Sequence, residues 1–105
     1  MTEKRKPTYD LEAIKAVFAT VAGLHATGSA VRGAAALGLG RQEMVAVIQS
    51  IERQHFQKSM TSYADHRVWQ DVYHVPSDQG ELYVKFTADA VTEFLLLLFK
   101  EKGDG

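Results

Sequence analysis

The sequence predicts an α+β fold, with N-terminal helices packed on one face of a C-terminal three-stranded antiparallel sheet. Two observations carry this. Apolar residues recur at helical spacing up to about residue 51, and from about residue 65 they alternate with a period of two. Turn-forming residues separate the alternating runs by only a few positions, so the strands are hairpin neighbours and the helices are segregated from them.

The first helix starts at Asp10, a good N-cap, and carries Leu11, Ile14, Phe18 and Val21 on one side; Gly23 offers a stop. The second begins after Thr27 or Ser29, both capping residues, and runs through the alanines to Leu37. Gly33 weakens it, since glycine in a helix interior costs about 1 kcal/mol relative to alanine. Gly38 and Gly40 break the chain. The third helix runs from about Arg41 to Ile51, with Met44, Val47, Ile48 and Ile51 on one face. Gly38-Leu39-Gly40 lacks a preceding strand and a Gly-Lys-Ser/Thr sequel, so it reads as helix termination rather than a phosphate loop.

His66 to Val75 is rich in Val, Trp and Tyr and reads as the first strand; Pro76 to Gly80 is turn chemistry. Glu81 to Thr87 alternates: Leu82, Val84 and Phe86 face one way, Tyr83, Lys85 and Thr87 the other. Ala88-Asp89-Ala90 turns the chain. Val91 to Phe99 is the third strand, apolar on both faces and so the most buried. One sheet face is then dressed by helices, and the face carrying Tyr83, Lys85 and Thr87 is free for a ligand.

A chain of 105 residues suits one domain, here 1–105, with a basic leader over 1–9 and a polar tail over 101–105. Hydrophobic residues at 46% and charged residues at 24% are the balance of a globular protein. With no cysteine, there is no disulfide, thiolate zinc site or cysteine nucleophile, which fits a cytoplasmic location. No apolar signal core follows the basic start, and Phe94 to Phe99 is far shorter than the roughly 20 residues of a membrane helix. No membrane association is expected. The net charge of −1 argues against indiscriminate nucleic-acid binding. Residues 1–60, however, hold eight Lys and Arg against five Asp and Glu, so a local basic surface can form in the first half. Lys4-Arg5-Lys6 is a solvated tail or, more sharply, a basic arm on phosphates.

His25, His55, His66 and His74 are scattered over different elements, with no His-Glu-x-x-His pattern. They read as surface or turn histidines, and neither a metal nor another cofactor is expected. No strained Gly-x-Ser-x-Gly elbow is present. The unusual stretch is Phe56 to Tyr73, where Lys58, Ser59, Thr61, Tyr63, Asp65, His66, Arg67, Gln70 and Tyr73 gather around the only tryptophan, Trp69. Single-stranded RNA is held by such mixtures: aromatics stack bases and cations hold phosphates. The plainer reading is a polar loop entering a strand, with Trp69 and Tyr73 in the core.

Within that stretch, Lys58-Ser59-Met60-Thr61-Ser62-Tyr63-Ala64-Asp65-His66 followed by Val68-Trp69-Gln70-Asp71-Val72-Tyr73 resembles the signature of the motility quorum-sensing regulator toxins, the MqsR family. The leader Glu3 to Pro7, the run Gly80 to Lys85 and the closing Phe99-Lys100-Glu101-Lys102 match in pattern and order. The resemblance implies a RelE-like fold and the toxin of a type II toxin–antitoxin system, a ribosome-independent endoribonuclease that cuts messenger RNA at GC-containing sites. It implies neutralisation by a cognate antitoxin that binds zinc and DNA, with operator DNA reached only through that partner. It assigns catalysis to Lys58, Gln70 and Tyr83. His66, Tyr73, Lys85 and Lys100 are further candidates for catalysis or RNA binding.

RNA supplies its own nucleophile, the 2′-hydroxyl, so such a set can work without metal by clamping the phosphate and moving two protons. Lys58 suits the clamp, Gln70 can orient phosphate or base, and His66 has an ordinary pKa near neutrality. Tyr83 serves as acid or base if a cation lowers its pKa, and Lys85 on its face is one such cation. Gln70 shares strand parity with Val68 and Val72; if those valines face the helices, Gln70 points inward unless a bulge or an early strand end re-aims it. Two other readings stand beside the nuclease: a non-catalytic, antitoxin-binding modulator of transcription from the same family, and an unrelated α+β domain for a small molecule or peptide.

Overall fold

In the computed structural model, residues 2–103 are described; Met1 of the leader and Asp104 and Gly105 of the tail lie outside the described residues. Three helices, α1 (Leu11–Val17), α2 (Gly28–Ala36) and α3 (Arg41–Gln49), cover one face of a sheet formed by β1 (Glu3–Lys4), β2 (Phe56–Thr61), β3 (Trp69–Ser77), β4 (Gly80–Asp89) and β5 (Glu93–Glu101). The strands are antiparallel and lie in chain order.

The sheet therefore has five strands, not the expected three. The leader supplies one extra strand, and the stretch read as a polar loop after α3 supplies the other. Beyond Phe56 the inward residues of β2 are the polar Ser59 and Thr61, fully or nearly buried, so no sustained hydrophobic alternation marks the strand. The leader satisfies them. Thr8 Oγ1 lies 2.7 Å from Ser59 Oγ, and Thr2 N donates to Thr61 Oγ1 at 2.9 Å. Buried Asp71 accepts from the backbone N–H groups of Thr8 and Tyr9 at 2.9–3.1 Å. Lys4 places its ammonium 4.2 Å from the Trp69 ring centroid, a cation–π contact.

The helices start where their caps stand. Asp10 accepts from Ala13 N, Thr27 from Ala30 N, and the Glu43 carboxylate accepts from Gly40 N at 2.7 Å. α1 ends at Val17, short of Gly23, and a 3-10 turn capped by Thr20 covers Val21–Gly23. Ile14, Phe18, Met44, Ile48 and Ile51 pack on Tyr73, Val75, Leu82, Val84, Phe86, Leu96 and Phe99. Gly33 marks a close approach: a Cβ there would sit 2.2 Å from the Phe99 carbonyl oxygen. The edge of β5 is covered by residues 25–27, where Leu96 N donates to His25 O and Thr27 N to Leu96 O. No helix among the described residues is long and apolar enough to cross a membrane.

Candidate active site

Two β-bulges shape the face away from the helices. In β2, Phe56 pairs with Tyr73 but Lys58 pairs with Val72, so Gln57 is an extra residue. Phe56 packs inward, its ring 5.6 Å from that of Tyr73, while Lys58, which an unbroken strand would point the same way, emerges on the open face. In β5, Leu96 pairs with Phe86 and Leu98 with Lys85, which leaves Leu97 as the extra residue. Leu96 stays in the core, and Leu98 and Lys100 turn to the open face. Tyr83 and Lys85 reach that face by plain alternation opposite buried Leu82, Val84 and Phe86.

An open cleft of about 520 Å³ results. Among the described residues, Arg5, Lys58, Lys100 and Lys102 line it, with Glu3 as the one acid, and the neutral groups include Tyr83 and His74. Four cations against one carboxylate make a basic surface on a chain of net charge −1. Lys58 Nζ lies 3.2 Å from Glu3 Oε2, and Lys100 Nζ lies 5.6 Å from the Tyr83 ring centroid. His74 stands opposite Tyr83 across β3 and β4, with 5.9 Å between ring centroids. Its Nδ1 lies 3.9 Å from Glu81 Oε1, which Lys102 Nζ approaches at 3.1 Å.

Burial pushes the Tyr83 phenol above its usual pKa, and Glu3 adds to this while Lys58 opposes it. Tyr83 is thus protonated at neutral pH: a cation, Lys58, does act to lower it, but burial outweighs that effect. Burial is also the main cause lowering His74, helped by Lys102 and Lys58 and opposed by Glu81, so its imidazole is neutral at pH 7. Lys85 is lowered by burial, then by Lys100 and Lys58.

Of the residues singled out in the sequence, Lys58, Tyr83 and Lys100 meet in the cleft, and Lys85 adjoins it on the same face. Gln70 also occupies this face, paired with Met60 and Thr87, because Val72 points outward and not to the helices; Val72 is shielded between Lys58 and Lys85. Gln70 lies four residues along β3 from His74, roughly 13 Å at strand rise. His66 is exposed in the loop between β2 and β3. Tyr73 is fully buried on the helix side. Arg5, His74 and Lys102 were not singled out as site residues. Arg5 had a signal in the basic leader; His74 had one in its parity with Tyr83's partners, visible only once β3 and β4 are paired.

A second cleft of about 630 Å³ lies between the leader, α1 and the segment after α3. Its cations Lys6, Lys15 and Arg53 are matched by Asp10, Glu12 and Glu52, so it has no excess charge to hold a polyanion. Among the described residues, no three His, Cys, Asp or Glu side chains cluster as metal ligands would. The open-face cleft offers a cationic cradle, a protonated phenol and a neutral imidazole.

The family described as motility quorum-sensing regulator, toxin of MqsA, matches residues 6–101. The mRNA interferase toxin MqsR of Escherichia coli (strain K12) is 38% identical over 100 residues, covering 95% of this chain and 99% of that protein. The matched region takes in β2 to β5 and leaves out β1 and the cleft residues Glu3, Arg5 and Lys102. This chain belongs to the motility quorum-sensing regulator toxin family.

Proposed function

We propose that this protein is the toxin of a toxin–antitoxin pair and that it cleaves messenger RNA in the open-face cleft. The observation that carries the reading is the pair of bulges that re-aim Lys58 and Lys100 beside Tyr83. Each bulge delivers a cation to the same face, and converging cations suit a phosphate.

The reaction is transphosphorylation within RNA. The 2′-oxygen attacks the adjacent phosphorus, the P–O5′ bond breaks, and a 2′,3′-cyclic phosphate and a 5′-hydroxyl result. One proton leaves the 2′-hydroxyl and one reaches the departing O5′. Lys58, Arg5 and Lys100 hold the phosphate and offset its growing negative charge. Tyr83, held protonated by burial, donates to O5′, and the cations beside it stabilise the phenolate left behind. Lys85 extends the cradle, and Gln70 at the far end of the face contacts the RNA chain beyond the scissile phosphate. Tyr73, on the opposite face, belongs to the core. The cut is independent of the ribosome and falls at GC-containing sites, and the antitoxin that silences it binds zinc and DNA.

The test is a cleavage assay in EDTA with antitoxin-free protein and a defined mRNA, run beside Lys58→Ala. The wild type is expected to cut, and Lys58→Ala to lose about 10²–10³-fold, as when one charge-stabilising group is removed. If folded wild-type protein does not cut, the nuclease reading is wrong and the non-catalytic antitoxin partner takes its place.

A further inference from the structure

We infer that His74 is the general base that takes the 2′-hydroxyl proton. This deepens the RNA-cleavage reading above and rests on it.

The cleft must hold a proton acceptor. Tyr83 faces the wrong way in this respect, since burial keeps it a donor. Gln57 has no acid–base chemistry, and the lysines and Arg5 are the cradle. Among the described residues two acceptors remain, His74 and Glu3. Glu3 is held by Lys58 at 3.2 Å and stands on a two-residue edge strand. His74 stands in a nine-residue strand, paired with Tyr83 of β4 and only about a fifth exposed, and it opens into the cleft.

The surroundings fit the role. From β4, Tyr83 faces His74 directly and Glu81 approaches its Nδ1 at 3.9 Å. From β5 Lys100 lies over Tyr83, and just after β5 Lys102 Nζ approaches Glu81 at 3.1 Å. From β2 and β1 come Lys58, with its partner Glu3, and Gln57. The imidazole thus begins neutral, and Glu81 stands ready to stabilise the imidazolium that forms once the proton arrives. Opposite it, Tyr83 begins protonated. A proton donor and a proton acceptor whose rings stand 5.9 Å apart on one face are placed to work as acid and base on one phosphate. The O2′–P bond forms as His74 takes the 2′ proton, and P–O5′ breaks as Tyr83 gives up its own.

The sign of the pH dependence follows. A base works only unprotonated, so cleavage should rise with pH to a plateau, with the acid limb centred below the ordinary histidine value of 6.5. Single-turnover cleavage of a short RNA with one scissile site is measured from pH 4.5 to 8.5 for the wild type, His74→Gln, Glu3→Gln and Lys58→Ala. His74→Gln is expected to lose about 10²-fold or more on the plateau and to lose the acid limb, whereas Glu3→Gln keeps it. In the wild type, the His74 ring protons followed by NMR should titrate at the kinetic midpoint; this needs no variant, and His74→Asn backs up His74→Gln if the latter fails to fold. A wild-type limb retained by His74→Gln, or an NMR midpoint more than about one unit from the kinetic one, overturns the inference. If Lys58→Ala is dead while His74→Gln behaves as wild type, only the base assignment falls. If the wild type does not cut, the nuclease reading falls and takes this one with it.

Discussion

Glu3 holds the Lys58 ammonium at 3.2 Å, so the cation assigned to the phosphate meets RNA already paired with a carboxylate. Both side chains are over a third exposed, and such a pair contributes at most about 1 kcal/mol to stability. Its effect is on binding: phosphate must displace Glu3. Glu3→Gln is therefore expected to tighten binding of an RNA carrying a 2′-deoxy sugar at the scissile position by several-fold at low salt. The slope of log affinity against log salt should steepen by about 0.7, the value for one further phosphate contact on a single strand. Thermal stability should barely move. Equal affinity and equal slope would show that Lys58 is already free to bind in the wild type.

Tyr73 gives a second expectation, about stability alone. Its ring packs edge-on against Phe56 and Phe86, but its buried hydroxyl has no hydrogen-bond partner among the described residues. Removing an unsatisfied buried hydroxyl while keeping the ring should help, so Tyr73→Phe is expected to gain about 1 kcal/mol near neutral pH. Burial, reinforced by Asp71, pushes the phenol up to about 12 from 10.0. The folded state thus keeps a proton that the unfolded chain releases, and stability is full below pH 10 and lost as pH rises towards 12, by on the order of 2–3 kcal/mol. Urea unfolding at pH 7 and pH 11 should show the variant's advantage widening with pH. A variant weaker than wild type at both values would mean that the hydroxyl is satisfied after all.

The helices were legible in the sequence because each carries its own signal: Asp10, Thr27 and Gly40-x-x-Glu43 at the starts, and Ile14, Phe18, Met44 and Ile48 at helical spacing. The β4 alternation was legible for the same reason. β1 and β2 were not, because Ser59, Thr61 and Asp71 replace apolar side chains on the inward face and are satisfied by a leader about 50–60 residues away in the chain. The open face was legible only in part. Lys58 and Lys100 get there through bulges at Gln57 and Leu97, and a bulge reverses parity without changing composition. Parity with Val68 and Val72 points Gln70 inward only if those valines face the helices; Val72 instead lies between Lys58 and Lys85, and the place of His74 opposite Tyr83 emerges only from the pairing of β3 with β4.

Two glycines separate clash from backbone strain. Gly33 lies in α2 against β5, and a Cβ would meet the Phe99 carbonyl oxygen at 2.2 Å. Backbone on both sides cannot yield cheaply, so Gly33→Ala should cost about 3 kcal/mol despite alanine's better helix propensity. Gly38 has open space around it but a φ of +77°, so Gly38→Ala should cost only about 1–2 kcal/mol, the penalty for a left-handed residue. Chemical denaturation of both variants checks the order. If Gly33→Ala is the milder change, α2 is not docked on β5 as closely as these distances state.

Asp71 ties the leader to the sheet and so reaches the cleft without entering it. Its side chain is fully buried, and its two oxygens accept three contacts from Thr8 N and Tyr9 N, while Tyr9 Oη donates to Trp69 O at 2.8 Å. β1 itself is only two residues long, too short to hold the leader by its ladder alone. Asp71→Asn keeps the shape but turns one acceptor into a donor facing an N–H, which should cost about 1.5–3 kcal/mol, the range for hydrogen bonds to a charged group. The loss should be local before it is global. Lys4 and Arg5 should become sites of fast tryptic cleavage under native conditions, while the Lys6–Pro7 bond resists trypsin, and RNA affinity should fall because Arg5 no longer lines the cleft. Timed trypsin digestion read by mass spectrometry, beside urea unfolding, separates the two levels. Wild-type resistance to trypsin in Asp71→Asn would mean that Thr2, Thr8 and the Lys4–Trp69 contact hold the leader without the carboxylate.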